Sequence, residues 1–212
     1  MLRKDDLIRK ISLKAEDFYK EKDGRPVDFL HDWGHVTRVY NACLKIMEFE
    51  IKVNRIEVLV AALFHDIGRW YDQTKPHAEV SAQMTKDILL EFSKELISAG
   101  ANPEKIVNLI NYHATAHNCT HEICDSLELK ILADADKIDM FGPVGIIRVS
   151  ASYGDKNPIE KSVDQLHEEA KTDNFTLHTE GGRKVGLYYK EYLIKFNKDL
   201  NAQIEDLGTP IN

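Results

Sequence analysis

Apolar residues recur at three- and four-residue spacing along most of this chain, the signature of helices with one buried face. Leu2, Leu7, Ile8, Ile11, Ala15, Phe18 and Tyr19 predict a helix over residues 2 to 22, ended by Asp23-Gly24-Arg25-Pro26. Asp32 is a candidate N-cap for a second helix, whose stripe runs from Val36, Val39, Ala42 and Cys43 on to Phe49. A third opens at Arg55-Ile56-Glu57. Its run Val58-Leu59-Val60-Ala61-Ala62-Leu63-Phe64 fits only a buried element, and it closes on His65-Asp66-Ile67-Gly68, with Gly68 expected as a left-handed cap. His77 begins a helix carrying Ala78, Val80, Ala82, Met84, Ile88 and Leu89, and Asn102-Pro103-Glu104 starts one that reaches Tyr112-His113. Leu127 to Met140 predicts a further helix, and Phe141-Gly142-Pro143 turns into a short apolar one ending near Tyr153. Residues 155 to 182 are polar and rich in turn formers, the expected flexible segment. A last helix spans about Lys184 to Asp206, with Val185, Leu187, Tyr188, Tyr192, Leu193, Phe196 and Leu200 as its stripe. No period-two strand emerges. The expectation is an all-α single domain over residues 1–212, its core at about 25–155 and the last helix packed on it.

Composition narrows the function. The net charge of -7 and the lack of a basic stripe argue against a nucleic-acid partner. They leave room for a nucleotide, since a metal site brings local positive charge to an acidic protein. No apolar run reaches membrane-spanning length and no secretory h-region opens the chain, so a cytoplasmic protein without a membrane partner is expected. Cys43, Cys119 and Cys124 lack metal-finger spacing and are expected as free thiols.

Seven of the nine histidines lie between His31 and His121. An ionised Asp66 at the end of a buried helix is costly unless a cation meets it, and a metal ion that also takes neutral His65 as ligand is an economical partner. His35 lies at the buried start of the second helix, three residues before Arg38 on the same face. Asp134, Asp136 and Asp139 stand in an apolar frame (Ile131, Leu132, Ala133, Ala135, Ile138) that a solvated acidic face would not have. His35, His65-Asp66 and Asp136 thus offer two imidazoles and two carboxylates from three helices. Such donors suit Mn, Fe, Co, Ni or Zn better than Ca. An open position on the ion would hold water, lower its pKa and present it to an electrophile such as phosphorus.

His31-Asp32-Trp33-Gly34-His35-Val36-Thr37-Arg38-Val39, then Ala62-Leu63-Phe64-His65-Asp66-Ile67, then Asp134-Ala135-Asp136-Lys137-Ile138-Asp139 through Gly145-Ile146-Ile147-Arg148 together resemble the HD superfamily of metal-dependent phosphohydrolases. The likeness is nearer to its small stand-alone bacterial subgroup, the YpgQ/YedJ-like proteins, and covers roughly residues 25 to 155. It implies an all-α fold, a divalent metal (Mn, Fe, Co, Ni, Zn or Mg) held by His35, His65, Asp66 and Asp136, and hydrolysis of a phosphoester or phosphoanhydride. The choice of Asp136 over Asp134 follows from the likeness, in which the acid precedes one residue and then an aliphatic, as Lys137-Ile138 stand here. His77 and His113 resemble the extra histidines of relatives with two metals; without a second ion they would bind substrate phosphates.

Asp66 is expected to help place water. Arg38, Arg69 and Lys75 are expected to neutralise phosphate, with Arg148 as a phosphate contact or an internal salt bridge and Trp70 or Tyr71 against a base. Many HD relatives carry an acid shortly after the His-Asp pair, where this chain has Arg69 and then Asp72. The leading expectation is cleavage of a (deoxy)nucleoside triphosphate to monophosphate and pyrophosphate. Alternatives are a 5'-nucleotidase, a cyclic-nucleotide or alarmone phosphodiesterase, and a regulatory module that binds metal and nucleotide without turnover. The partner is a small-molecule nucleotide, and a homodimer stays open for the assembly.

Overall fold

The computed structural model describes residues 4–20, 30–116, 120–152 and 177–207. Among them the chain is helical, with no strand. The α-helices are α1 (Lys4–Glu16), α2 (Trp33–Ile46), α3 (Arg55–Phe64), α4 (His77–Leu89), α5 (Ser93–Ser98), α6 (Pro103–Tyr112), α7 (Leu127–Ile138), α8 (Gly142–Ser152) and α9 (Glu180–Leu207). Short 3₁₀ turns follow α1 (Asp17–Tyr19) and α6 (His113–Thr115).

Helix starts are written in side chains that take orphan backbone amides. Asp32 accepts from the His35 amide at 2.8 Å, Asn54 from Glu57 at 3.4 Å, Asn102 from Glu104 at 2.9 Å, and Ser126 from Leu129 at 3.2 Å. The apolar run of α3 is buried from Ile56 to Phe64, and α1, α2, α6 and α7 surround it. Glu57, buried on the same helix, is met by the Asn102 amide at 2.9 Å and by Lys105 at 3.1 Å, which is how a carboxylate survives there. One hydrophobic cluster joins α1, α2, α3, α6 and α7, with Leu193 of α9 inside it. No described helix is long and apolar enough to cross a membrane.

Three expectations need correction. Gly68 is outside the positive-φ set, which among described glycines holds Gly100 and Gly142. Its role is close approach: a Cβ there would stand 2.5 Å from the Ser81 backbone nitrogen and 2.8 Å from Val80 Cβ, where α4 packs on the His-Asp turn. The last helix starts at Glu180, and Leu177 and Thr179 just before it are buried, so residues 177–182 are packed; 153–176 lie outside the described residues. Cys43 is a buried free thiol, whereas Cys124 is disulfide-bonded, and Cys119 lies outside the described residues.

Candidate metal centre

Three helix ends bring the polar groups together. The first turn of α2 supplies His35, the end of α3 supplies His65 and Asp66, and the last turn of α7 supplies Asp136. His35 Nε2 lies 3.2 Å from His65 Nε2, 3.6 Å from Asp66 Oδ2 and 3.4 Å from Asp136 Oδ1. His65 Nε2 lies 3.6 Å from Asp66 Oδ2 and 3.8 Å from Asp136 Oδ1. Two more histidines close the other side of Asp66: His77 Nε2, from the start of α4, is 3.4 Å from Oδ1, and His113 Nε2, just past α6, is 3.8 Å from it. His35, His65, Asp66 and His113 are buried, while Asp136 and His77 are partly exposed.

The outward nitrogens fix the tautomers of the rings. His65 Nδ1 is 2.8 Å from the Ala62 carbonyl oxygen and His113 Nδ1 is 2.6 Å from that of Ile110; each must donate there, so each Nε2 turns a lone pair inward. His35 Nδ1 donates to Asp139 Oδ2 at 2.7 Å. With all three rings neutral, lone pairs of His35 and His65 would face each other at 3.2 Å, a repulsive arrangement without a cation. Both carboxylate oxygens of Asp66 and the Nε2 atoms of His77 and His113 are buried without a hydrogen bond. Buried orphan acceptors in one place are costly, and a divalent ion relieves all of them together. Ligands at about 2.1 Å from one ion stand roughly 3.0–3.4 Å apart, close to the separations of this cluster. Three groups have ligand atoms within 4.8 Å of one another: His35-His65-Asp66, His65-His113-Asp136 and Asp66-His77-His113. The donor set therefore fits a divalent metal, with Asp66 facing two sets of histidines through its two oxygens.

Electrostatics agree with that reading. Burial works against the charged form of His35, but the hydrogen bond with Asp139 and the nearby carboxylates of Asp66 and Asp136 outweigh it and hold the ring up at about 9. Burial pushes His65 down to about 4 against the pull of Asp66 and Asp136, and pushes His77 to about 4 as well. Burial opposes ionisation of Asp66 and Asp136, yet the facing histidines keep both below the usual carboxylate range.

The two acids left open by the sequence are separated by geometry. Asp134 faces the other way. Its Oδ1 accepts from the His178 amide at 2.7 Å, and its Oδ2 accepts from the Thr179 amide at 2.8 Å and from Thr179 Oγ1 at 2.7 Å. It anchors the start of α9 and stands apart from the histidines.

The expected phosphate contacts scatter. Arg69 Nε is 2.7 Å from Asp66 Oδ2, at the cluster. Arg38 instead clamps Asp139, Nε to Oδ1 at 2.6 Å and an Nη to Oδ2 at 3.1 Å. Arg148, expected as substrate contact or salt bridge, is buried in a salt bridge: its Nη1 is 2.6 Å from Asp139 Oδ2 and 3.2 Å from the Asp139 carbonyl, and its Nη2 donates to the Leu30 carbonyl. Lys75 is exposed, and Trp70 is half-buried and edge-on to Tyr19, at 6.0 Å between ring centres and 89°. Asp72 is turned to Thr74, away from the cluster. The residue without an assigned role was Asp139, which supports His35 from behind. Its signal was present, one helical turn after Asp136 on the same face.

A helical bundle with a buried His/Asp cluster between helix ends is the architecture of a metal-dependent hydrolase of the HD type. The chain belongs to the HD domain family, whose pattern matches residues 30–140. Solved structures agree. A predicted HD superfamily hydrolase from an uncultured Thermotogales bacterium is 26% identical with a TM-score of 0.62, over 92% of this chain and 91% of that one. An HD-superfamily hydrolase from Bacillus thuringiensis is 22% identical with a TM-score of 0.70, over 97% and 100%. Bacillus subtilis YpgQ has the same fold at 20% identity and a TM-score of 0.61, over 97% and 98%. No curated protein matches the chain in sequence.

Proposed function

We propose that this HD-superfamily hydrolase is a divalent-metal-dependent nucleotide phosphohydrolase, cleaving a (deoxy)nucleoside triphosphate to the monophosphate and pyrophosphate. The observation that carries the reading is Asp66, whose two buried oxygens, Oδ2 ion-paired with Arg69 Nε at 2.7 Å, are flanked by the Nε2 atoms of His35 and His65 on one side and of His77 and His113 on the other. His35, His65, Asp66 and Asp136 would hold the ion. When bound, it supplies a Lewis acid that lowers the pKa of water and draws charge from a phosphoryl oxygen. Arg69, partly open to solvent, neutralises phosphate charge beside it, and Lys75 on the exposed turn is a further cation for the substrate. The nucleotide preference finds support in YpgQ, whose structure has also been solved in complex with ADP; at 19% identity that likeness concerns the fold.

A second reading is favoured by Asp66 Oδ1, which faces His77 and His113 while Oδ2 faces the first pair. In this reading His35, His65 and Asp66 would hold one ion, and His77 and His113 with Asp66 would hold a second.

One experiment separates these readings. Metal-stripped protein is reloaded with Mn, Co, Mg or Zn and given a nucleotide panel, with phosphate and pyrophosphate measured separately and metal stoichiometry determined. Metal-dependent pyrophosphate release, lost in folded His65→Ala and Asp136→Ala variants, is expected. Phosphate release instead selects a nucleotidase, and tight nucleotide binding without turnover under any metal overturns the enzyme in favour of a regulatory module. Two ions per chain, reduced to one in His77→Ala, select the two-ion reading.

A further inference from the structure

Several buried polar atoms without a hydrogen bond belong to the metal centre, namely both Asp66 oxygens, His77 Nε2 and His113 Nε2, and the same set holds one hydroxyl, that of Tyr19. Tyr19 is the only hydroxyl in that set among the described residues, and it comes from a part of the chain that carries none of the family motifs. The residue is 4% exposed, at the end of the 3₁₀ turn after α1. Its ring is fixed from two sides. Trp33, the first residue of α2, is 5.8 Å away at 39°, and Trp70, next to Arg69, is 6.0 Å away and edge-on. Two indoles holding a phenol whose O–H is given to no acceptor is a costly arrangement for packing alone, since phenylalanine would fill the same space without an orphaned O–H.

The surroundings say what the hydroxyl faces. Its oxygen stands within reach of the Asp66 backbone amide; burial raises the phenol well above the usual tyrosine value and the charges of Asp66 and Asp136 add to this, while that amide and Arg69 act the other way. At neutral pH it is a donor, not a phenolate, placed at the cluster among groups whose lone pairs the metal would take. What remains unmatched is an O–H looking for an acceptor that arrives with the ligand.

We propose that the Tyr19 hydroxyl donates a hydrogen bond to a non-bridging phosphoryl oxygen of the substrate bound at the His35/His65/Asp66/Asp136 centre. The inference rests on the phosphohydrolase reading for its ligand class. Trp33 and Trp70 act as positioning residues that aim the phenol, and Trp70 thereby has a role other than stacking on a base. The contact adds a neutral donor where Arg69 adds charge, so the anion is held from two directions.

The test compares wild type with Tyr19→Phe, which keeps the ring and its two tryptophan contacts. Both proteins are loaded with Mn, and binding of Mn and then of inorganic phosphate is measured by calorimetry, with melting temperature as the check on folding. The expected result is an unchanged Mn affinity and a phosphate affinity about 10- to 100-fold weaker, the size of one hydrogen bond to a charged acceptor. Unchanged phosphate affinity overturns the proposal, as does a wild-type Mn protein that binds no phosphate. A parallel fall in Mn affinity overturns it in favour of a hydroxyl that serves only to place Asp66. If the phosphate effect appears while wild type turns over no nucleotide, the Tyr19 contact stands and the phosphohydrolase reading falls.

Discussion

Asp139 Oδ2 accepts from His35 Nδ1 at 2.7 Å and from Arg148 Nη1 at 2.6 Å, so a single buried oxygen ties a metal-facing imidazole to an internal guanidinium. Asp139 Oδ1 takes Arg38 at 2.6 Å, completing a clamp of one acid, one histidine and two arginines behind the centre. Burial opposes the charge on Asp139, but His35 and Arg38 hold it down at about 2. The carboxylate is therefore ionised at any working pH, and it keeps a proton on His35 Nδ1, so that the proton lost when the ring becomes neutral is the one on the metal-side Nε2.

Asp139→Asn keeps the size and removes the charge. An amide nitrogen cannot accept from Nδ1, and an amide oxygen holds the tautomer more weakly, so the His35 lone pair is no longer reliably inward. Metal affinity should fall about 10- to 100-fold, the usual effect of losing a partner behind a ligating histidine. Arg148, buried and deprived of its counter-charge, should lower stability by about 3 kcal/mol. Metal titration and urea unfolding read the two effects separately. Unaltered metal affinity would show that the clamp serves folding alone.

Asp134 and Asp136 are two residues apart on α7 and should respond in opposite ways. Asp134→Ala removes the acceptor of three hydrogen bonds from His178 and Thr179, and should cost about 3 kcal/mol of stability while one metal still binds. Asp136→Ala should abolish tight metal binding, with metal-free stability within about 1 kcal/mol of the parent. Metal content and melting temperature, measured on both variants, decide it. If Asp134→Ala loses the metal and Asp136→Ala keeps it, the ligand assignment is reversed.

This pair also shows what the chain discloses before folding. Helix positions were legible because period and caps are local: Asp32, Asn54 and Asn102 cap α2, α3 and α6 through neighbours two or three residues away. The His-Asp pair and the acids of α7 stood out because charge inside an apolar frame demands a partner. The partners themselves were not legible. Arg38 meets Asp139 across 101 positions and Asp134 meets Thr179 across 45, distances at which sequence spacing carries no signal. Arginines that looked like phosphate ligands were thus drawn to Asp139. Tyr19 was hidden for another reason: in the sequence its aromatic ring continues the apolar stripe of the first predicted helix, and only the fold sets it in the turn after α1 between Trp33 and Trp70.

Gly68→Ala tests whether the close approach of α4 to the His-Asp turn sets the second pair of histidines. The added Cβ would stand 2.5 Å from the Ser81 backbone nitrogen and 2.9 Å from the His77 carbonyl oxygen, and backbone atoms cannot swing aside as a side chain would. The start of α4 must move, at a cost of about 1–3 kcal/mol. His77 moves with it. Binding of an ion that uses His77 and His113 should weaken more than binding at His35, His65 and Asp136, which α4 does not carry. Stoichiometric Mn titration of the folded variant reads the difference, and equal weakening of both would refute the linkage.

Metal uptake should release a proton, and His35 is its source. In the metal-free protein burial disfavours the charge on this ring, yet Asp139 and Asp66 hold it up at about 9, so at pH 7 it is protonated. A ligating imidazole must be neutral, and that proton has to leave. The other ligands have none to give: His65 is pushed down to about 4 by burial, and Asp66 and Asp136 are held below the usual carboxylate range by the facing histidines. Calorimetric titration with Mn in buffers of different ionisation enthalpy should therefore report about one proton per site at pH 7, and affinity should rise nearly tenfold per pH unit until it levels off as pH approaches 9. Stability of the metal-free fold runs the other way. A raised histidine value contributes fully below about pH 6.5, and its contribution is lost as pH rises through 9. Asp139→Asn removes the main hydrogen bond that sustains the high value, so its proton release at pH 7 should shrink as well. Release unchanged in that variant would place the proton elsewhere, and no release in the parent would mean that His35 enters the metal site already neutral.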